Sequence, residues 1–203
     1  MIGIDIQDVD RFEVYVGSDK NHAVYALNAK NGKLIWETTT GGGVISSPAV
    51  ANGIVYVGSN DHKLYALNAT TGKKIWTYTT DGEVGSPVVK YGVVYIGSSD
   101  HKVYALNAQT GKKIWTHTTD DNTIPGPKLA VADGIVYTAS NDGGSLRGGV
   151  LYALSAANGK KLWSYQIDEM ITSHVIVDNT IYLTTMNDLY AFSTITPTTT
   201  TAP

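Results

Sequence analysis

Residues 26–36 read ALNAKNGKLIW, and near copies stand at 66–76 (ALNATTGKKIW), 105–115 (ALNAQTGKKIW) and 153–163 (ALSAANGKKLW). Each copy closes on a tryptophan, and Trp36, Trp76, Trp115 and Trp163 are all the tryptophans in the chain. A phrase that returns at a period of about forty residues, with short apolar runs broken by turn residues, marks one supersecondary unit copied in series. Such a unit cannot bury both of its faces alone, so its neighbours must stack on it. Residues present in every copy therefore serve the stack, and functional residues are sought where the copies disagree.

Upstream of the tryptophan, Tyr25, Tyr65, Tyr104, Tyr152 and Tyr190 form one column, and Tyr15, Tyr56, Tyr95, Tyr137 and Tyr182 form another. The runs around them alternate with period two, as half-buried strands do. Each unit reads as four strands: an SSPAV-type run, a VYVGS run, a KLYAL run and a KKIWTYT run. Gly32, Gly72, Gly111 and Gly159 fall between the third and fourth, where a bulged hairpin needs positive φ. The pattern predicts an all-β fold, a β-propeller of four-stranded antiparallel blades. Blades are expected at about 4–40, 44–80, 84–119, 124–167 and 171–193, with the fifth incomplete. The template asks for a tryptophan near position 201 and meets Thr201 instead. Either Ile2 to Ile6 supplies the missing outer strand and closes a ring, or the chain is an open arc. An unpaired last edge would also offer a route to self-association. Residues 194–203 are rich in Thr and Pro and read as a tail or linker.

The chain has 203 residues, 42% of them hydrophobic and 16% charged, enough to bury a core and too apolar for disorder. A net charge of −3 with mixed signs gives no footprint for nucleic acid. No run approaches the eighteen apolar residues of a membrane span, and Met1 leads into a strand pattern with no signal peptide. Cysteine is absent, so there are no disulfides, thiolate metal sites or cysteine nucleophiles.

The phrase YALNA-x-TGK-x-IW, with SSP and VYVGS after it, resembles the pyrroloquinoline-quinone (PQQ)-like propeller repeat over residues 9–192. That family includes the outer-membrane assembly lipoprotein BamB, quinoprotein alcohol dehydrogenases and sensor domains, commonly with seven or eight blades. The resemblance implies a BamB-like binding or scaffolding protein outside the cytoplasm, with protein or cell-surface partners. Its alternatives are a sensor using the central channel and a fragment of a PQQ-dependent dehydrogenase. For a dehydrogenase the resemblance would imply a quinone stacked on a tryptophan, a calcium ion in the channel and an Asp base. The chain has no cysteine for the vicinal disulfide of the methanol-oxidising enzymes, and its tryptophans all belong to the repeat column. No catalytic residue, metal ligand or cofactor is therefore expected.

Trp36, Trp76, Trp115 and Trp163 are expected to pack between blades. His22, His62 and His101 stand at equivalent hairpins, too far apart to share a zinc ion. The strongest asymmetry lies in the fourth unit, where the interval to Trp163 is longer than the others and the hairpin NDGGSLRGG is enlarged. The extra residues lie on one face, which presents Asp142, Ser145, Leu146 and Arg147 beside Asp120, Asp121, Asn122 and Ile124. Insertions on one face of an array mark a binding surface or a tolerated flexible loop. A second candidate is the channel lined by first strands, with Ser46, Ser47, Ser86, Ser173 and His174, either holding a ligand or letting the strands crowd together.

Overall fold

Alternating apolar residues and paired turn residues produce strands and turns, with no helix among the described residues. The computed structural model describes residues 13–119, 129–141, 148–178, 180–193 and 200–201. Sheet 1 holds β1 (Glu13–Ser18), β2 (Ala23–Asn28) and β3 (Leu34–Thr39). Sheet 2 holds β4 (Ala49–Ala51), β5 (Ile54–Gly58), β6 (Lys63–Asn68) and β7 (Lys74–Thr79). Sheet 3 holds β8 (Val88–Lys90), β9 (Val93–Ser98), β10 (Lys102–Asn107) and β11 (Lys113–Thr118). Sheet 4 holds β12 (Ala130–Ala132), β13 (Ile135–Asn141), β14 (Gly149–Ser155) and β15 (Lys161–Ile167). Sheet 5 holds β16 (Ser173–Val177), β17 (Thr180–Thr184), β18 (Leu189–Ser193) and β19 (Thr200–Thr201). Every sheet is an antiparallel meander in sequence order.

The turns follow from backbone sterics. Asn52-Gly53, Tyr91-Gly92 and Asp133-Gly134 have positive φ at both residues, as a tight two-residue hairpin requires. Opposite each tryptophan the pairing slips by one residue: Trp36 faces Ala26 while Leu34 faces Leu27, leaving Ile35 as a bulge. The same slip sets Trp76, Trp115 and Trp163 opposite Ala66, Ala105 and Ala153. It explains why Ile35, Ile75, Ile114 and Leu162 are exposed although apolar, since the bulged residue turns away from the row.

Each row runs tyrosine, alanine, tryptophan across three strands, as in Tyr15–Ala26–Trp36. The central alanine is too small to separate the rings, which meet at 5.7 to 6.0 Å in all four tryptophan-bearing sheets. These rows feed four apolar clusters, each joining one sheet to the next: 1 to 2, 2 to 3, 3 to 4 and 4 to 5. Among the described residues no such cluster covers the outer faces of sheets 1 and 5. Val175, Val177 and Leu189 are about half exposed on sheet 5, and Val14, Val16, Tyr25 and Leu27 are only half buried on sheet 1. Among the described residues no apolar cluster joins sheet 1 to sheet 5, and the five sheets follow one another as an arc.

At the end of that arc, Thr200 and Thr201 pair with Ala191 and Tyr190, so the Thr/Pro-rich segment read as a tail contributes a short outer strand to sheet 5. Thr200 takes the register that tryptophan takes in the other sheets. Sheet 5 remains short, with two residues in its fourth strand. Ile2 to Ile6 and residues 194–199 lie outside the described residues.

Candidate interaction surface

The joint between blades is built three times with nearly the same geometry. Trp36, Trp76 and Trp115 donate their indole N–H to the backbone carbonyls of Ala69, Ala108 and Ala156 in the next sheet, at 2.7, 3.0 and 2.8 Å. Each ring also lies flat against the turn glycine of that next hairpin. A Cβ on Gly72, Gly111 or Gly159 would stand 2.6 to 2.7 Å from indole carbon. Glycine serves twice here, supplying positive φ and leaving room for the ring. Tyr56 donates to the Ala108 carbonyl beside Trp76, at 3.0 Å. Burial pushes the Tyr56 phenol up to about 12, so it stays a donor at any physiological pH.

The hairpin after the second strand and the connection from the preceding sheet meet on one face. Asp61 accepts the Gly41 N–H at 2.9 Å and the Tyr65 hydroxyl at 2.5 Å. Asp100 repeats this with the Asp81 N–H at 3.1 Å and the Tyr104 hydroxyl at 2.5 Å. Burial raises the Asp61 pKa, but the bonds from Tyr65, Ser59 and Gly41, with Lys63 nearby, outweigh it and hold the carboxyl below its usual range. His62 and His101 follow these two aspartates and His22 follows Asn21, all three at positive φ as turn residues.

In sheet 4 the corresponding hairpin is extended by one further pair, Asn141 with Gly149. The buried Asn141 side chain accepts the Ile171 N–H at 2.8 Å and donates to the Ile171 carbonyl at 2.9 Å. A Cβ on Gly148, at φ +79°, would collide with the Ile167 carbonyl. Asn141 and Gly148 thus clamp the base of the enlarged loop to the connection leading into sheet 5. The loop residues named from the sequence, Asp142, Ser145, Leu146 and Arg147, and their neighbours Asp120, Asp121, Asn122 and Ile124, lie outside the described residues. Asn141 stands in the run Ser140-Asn141-Asp142-Gly143, where an Asn reads as an ordinary turn residue, so the sequence alone gives no sign of the clamp.

The serines assigned to the channel are tied to backbone. Ser46 Oγ donates to the Gly58 carbonyl and accepts the Gly58 N–H, at 2.8 and 2.9 Å. Ser86 Oγ accepts the Ser47 N–H at 2.9 Å, linking the first-strand loops of sheets 2 and 3. Ser173 is exposed, whereas His174 is 5% exposed and alternates with Ile176 on the side of β16 that faces sheet 4. A cleft of about 340 Å³ opens beside Ser46, between Tyr15, Gly17, Val44 and Pro48. Among the described residues no group of three His, Cys, Asp or Glu is gathered as metal ligands. No helix there is long and apolar enough to cross a membrane. The tryptophans do not fit a quinone site, because their rings are committed to the joints between sheets.

Antiparallel sheets stacked in series and joined by one repeated aromatic contact define a β-propeller repeat protein. The family described as outer membrane protein assembly factor BamB matches residues 6–196, and the chain belongs to that family. Outer membrane protein assembly factor BamB of Yersinia pestis is 48% identical over 44 residues, 22% of this chain and 11% of that protein. The crystal structure of BamB from Moraxella catarrhalis superposes with a TM-score of 0.78 at 20% identity, covering 98% of this chain and 59% of that one. A quinohemoprotein alcohol dehydrogenase from Pseudomonas putida HK5 shares the fold at a TM-score of 0.73 and 21% identity, covering 95% of this chain and 40% of that one. The chain therefore spans less than two thirds of the length of these relatives.

Proposed function

We propose that this chain is a non-catalytic binding and scaffolding arc that works in protein assembly outside the cytoplasm, with protein or cell-surface partners. The observation that carries the reading is the match to the BamB family across residues 6–196. The loop face supports it. Two connections are stitched to hairpins through Asp61 and Asp100, and a third hairpin is enlarged and clamped at its base by Asn141. Rigid sheets carrying variable loops are the usual platform for recognition. On this reading Asp142, Ser145, Leu146 and Arg147, with Asp121 and Asn122, form the contact surface. The dehydrogenase alternative is disfavoured because the aromatic rings that would stack on a quinone serve the joints.

The test is in-cell crosslinking of the intact protein and of a variant lacking Gly143 to Gly148, with partners read by mass spectrometry. Protein crosslinks that disappear with the deletion support the reading. An unchanged set overturns the loop assignment. Saturable, calcium-dependent binding of pyrroloquinoline quinone in a calorimeter would overturn the non-catalytic reading as a whole.

A further inference from the structure

The charges of this chain are mixed along the sequence and separated in the fold. Each hairpin between third and fourth strands brings exposed lysines: Lys33 in sheet 1, and Lys-Lys pairs at 73–74, 112–113 and 160–161 in sheets 2 to 4. Together they are about half of the chain's 15 lysines and arginines. The indole bonds set these hairpins side by side, since the tryptophan after one hairpin donates to the alanine that opens the next. Hairpins between first and second strands join the same end, where the Ala69, Ala108 and Ala156 N–H groups donate to the carbonyls of Gly53, Gly92 and Gly134 at 2.8 to 2.9 Å. They add Lys90, whose ammonium lies 5.6 Å from the centre of the Tyr91 ring, and Tyr91 itself is 87% exposed. Among the described residues the carboxylates at that end are Glu13, Asp133 and Asp178. The opposite, loop-bearing face is acidic, with Asp61, Asp81, Glu83, Asp100, Glu169 and Asp188, and its Lys63 and Lys102 are held by three of these aspartates.

Beside these lysines the bulge turns an aliphatic side chain outward in every tryptophan-bearing sheet. Ile35, Ile75, Ile114 and Leu162 are 43 to 52% exposed. The basic face is thus edged by a row of apolar side chains, one per sheet. An acidic protein and an anionic bilayer would both match its charge, and the residue types decide between them. Lysine is depleted from protein–protein interfaces, where fixing its long stem costs rotamer entropy. At a bilayer the same stem lies along the acyl boundary while the ammonium reaches the headgroup phosphates, and neighbouring aliphatic and tyrosine side chains enter the interface. We propose that the face carrying the Gly-Lys hairpins is a docking surface for an anionic phospholipid bilayer, with its lysines on the headgroup phosphates and Ile75, Ile114, Leu162 and Tyr91 lodged in the interface. The chain lies on that surface and does not cross it. This goes beyond the scaffolding reading, which concerns the opposite, loop-bearing face, and the two stand or fall separately.

The test is flotation of the intact protein with vesicles of equimolar phosphatidylcholine and phosphatidylglycerol, and with vesicles of phosphatidylcholine alone. Binding is expected on the mixed vesicles, is absent on phosphatidylcholine alone, and weakens as salt rises. Lys73→Gln should weaken it about fivefold, and Lys73→Gln combined with Lys112→Gln about twentyfold. Lys20→Gln, on the loop face, should leave it unchanged. Ile75→Ser combined with Ile114→Ser should reduce the binding that survives high salt. All of these side chains are exposed, so thermal midpoints should hold level and show that the variants are folded. No binding to the mixed vesicles, binding indifferent to the lysine or the isoleucine variants, or an equal loss in Lys20→Gln overturns the proposal. Binding to soluble poly-glutamate without binding to vesicles would assign the face to an acidic protein, which also overturns it.

Discussion

Ala66 is fully buried between Tyr56 and Trp76, and its size sets the distance at which the two rings meet. Trp76 adds a hydrogen bond to the Ala108 carbonyl, so truncation leaves a cavity and an acceptor without its donor. Trp76→Ala is expected to cost about 3 to 5 kcal/mol, toward the lower end because this tryptophan is only partly buried. A denaturant melt checks it, and an unchanged midpoint would remove the joint from the stability argument. His174 is the other residue whose chemistry is set by its place. Burial pushes the pKa of its ring down to about 4, opposed in part by a hydrogen bond with the Tyr137 backbone. Well above pH 6.5 the ring is neutral in both folded and unfolded chains, and no penalty arises. As pH falls from 6.5 toward 4 the unfolded chain takes up the proton first, so stability drops by roughly 3 kcal/mol and then levels off. Stability measured against pH should show that loss in the unaltered protein. It should be reduced in His174→Leu, which restores the residue type that Leu129 provides at the equivalent position of sheet 4.

At the scale of elements, repetition made strands and turns legible and hid what repetition does not contain. Two tyrosine columns and the Gly-Lys turns marked the second, third and fourth strands, because alternation and positive φ are local demands that each copy must meet. The first strands were harder to bound: β4, β8 and β12 have three residues each, and their loops are held by Ser46 and Ser86 bonds that leave no periodic signal. β19 was invisible for a different reason. Thr200 and Thr201 pair through backbone groups, and Thr/Pro composition says nothing about a partner supplied by β18. Asn141 belongs with them, since its two bonds to Ile171 span 30 residues of sequence. Asn141→Ala should remove both bonds and strand a buried N–H and carbonyl, costing about 2 to 4 kcal/mol. Amide exchange would separate this from a global effect: faster exchange at Ile171 and the base of the enlarged loop is expected, with sheets 1 to 3 little changed. Uniform acceleration throughout would mean that Asn141 supports the whole array and not the loop.

For the molecule as a whole, stacking makes stability a sum of joints, and the number of joints per sheet sets how readily each sheet opens. Among the described residues, sheets 2, 3 and 4 are covered on both faces by apolar clusters, whereas sheets 1 and 5 are covered on one. Sheet 5 is weaker again, because Thr200 stands in its tryptophan register and its outer strand has two residues. Losing sheet 5 would sacrifice one joint and expose one new apolar face, but losing sheet 3 would break two joints and split the array. Hydrogen exchange under native conditions should therefore rank the sheets. The slowest amides are expected in β5, β6, β9 and β10, with intermediate protection in β13 and β14 and in sheet 1. The fastest strand amides should lie in β16, β17 and β18, opening together as one unit. A closed ring would predict otherwise, since every sheet would then have two neighbours and the terminal sheets would exchange as slowly as the central ones. Equal protection of β17 and β9 would refute the open arc, whereas a gradient falling from sheet 3 toward sheet 5 would show that the arc's ends limit its stability.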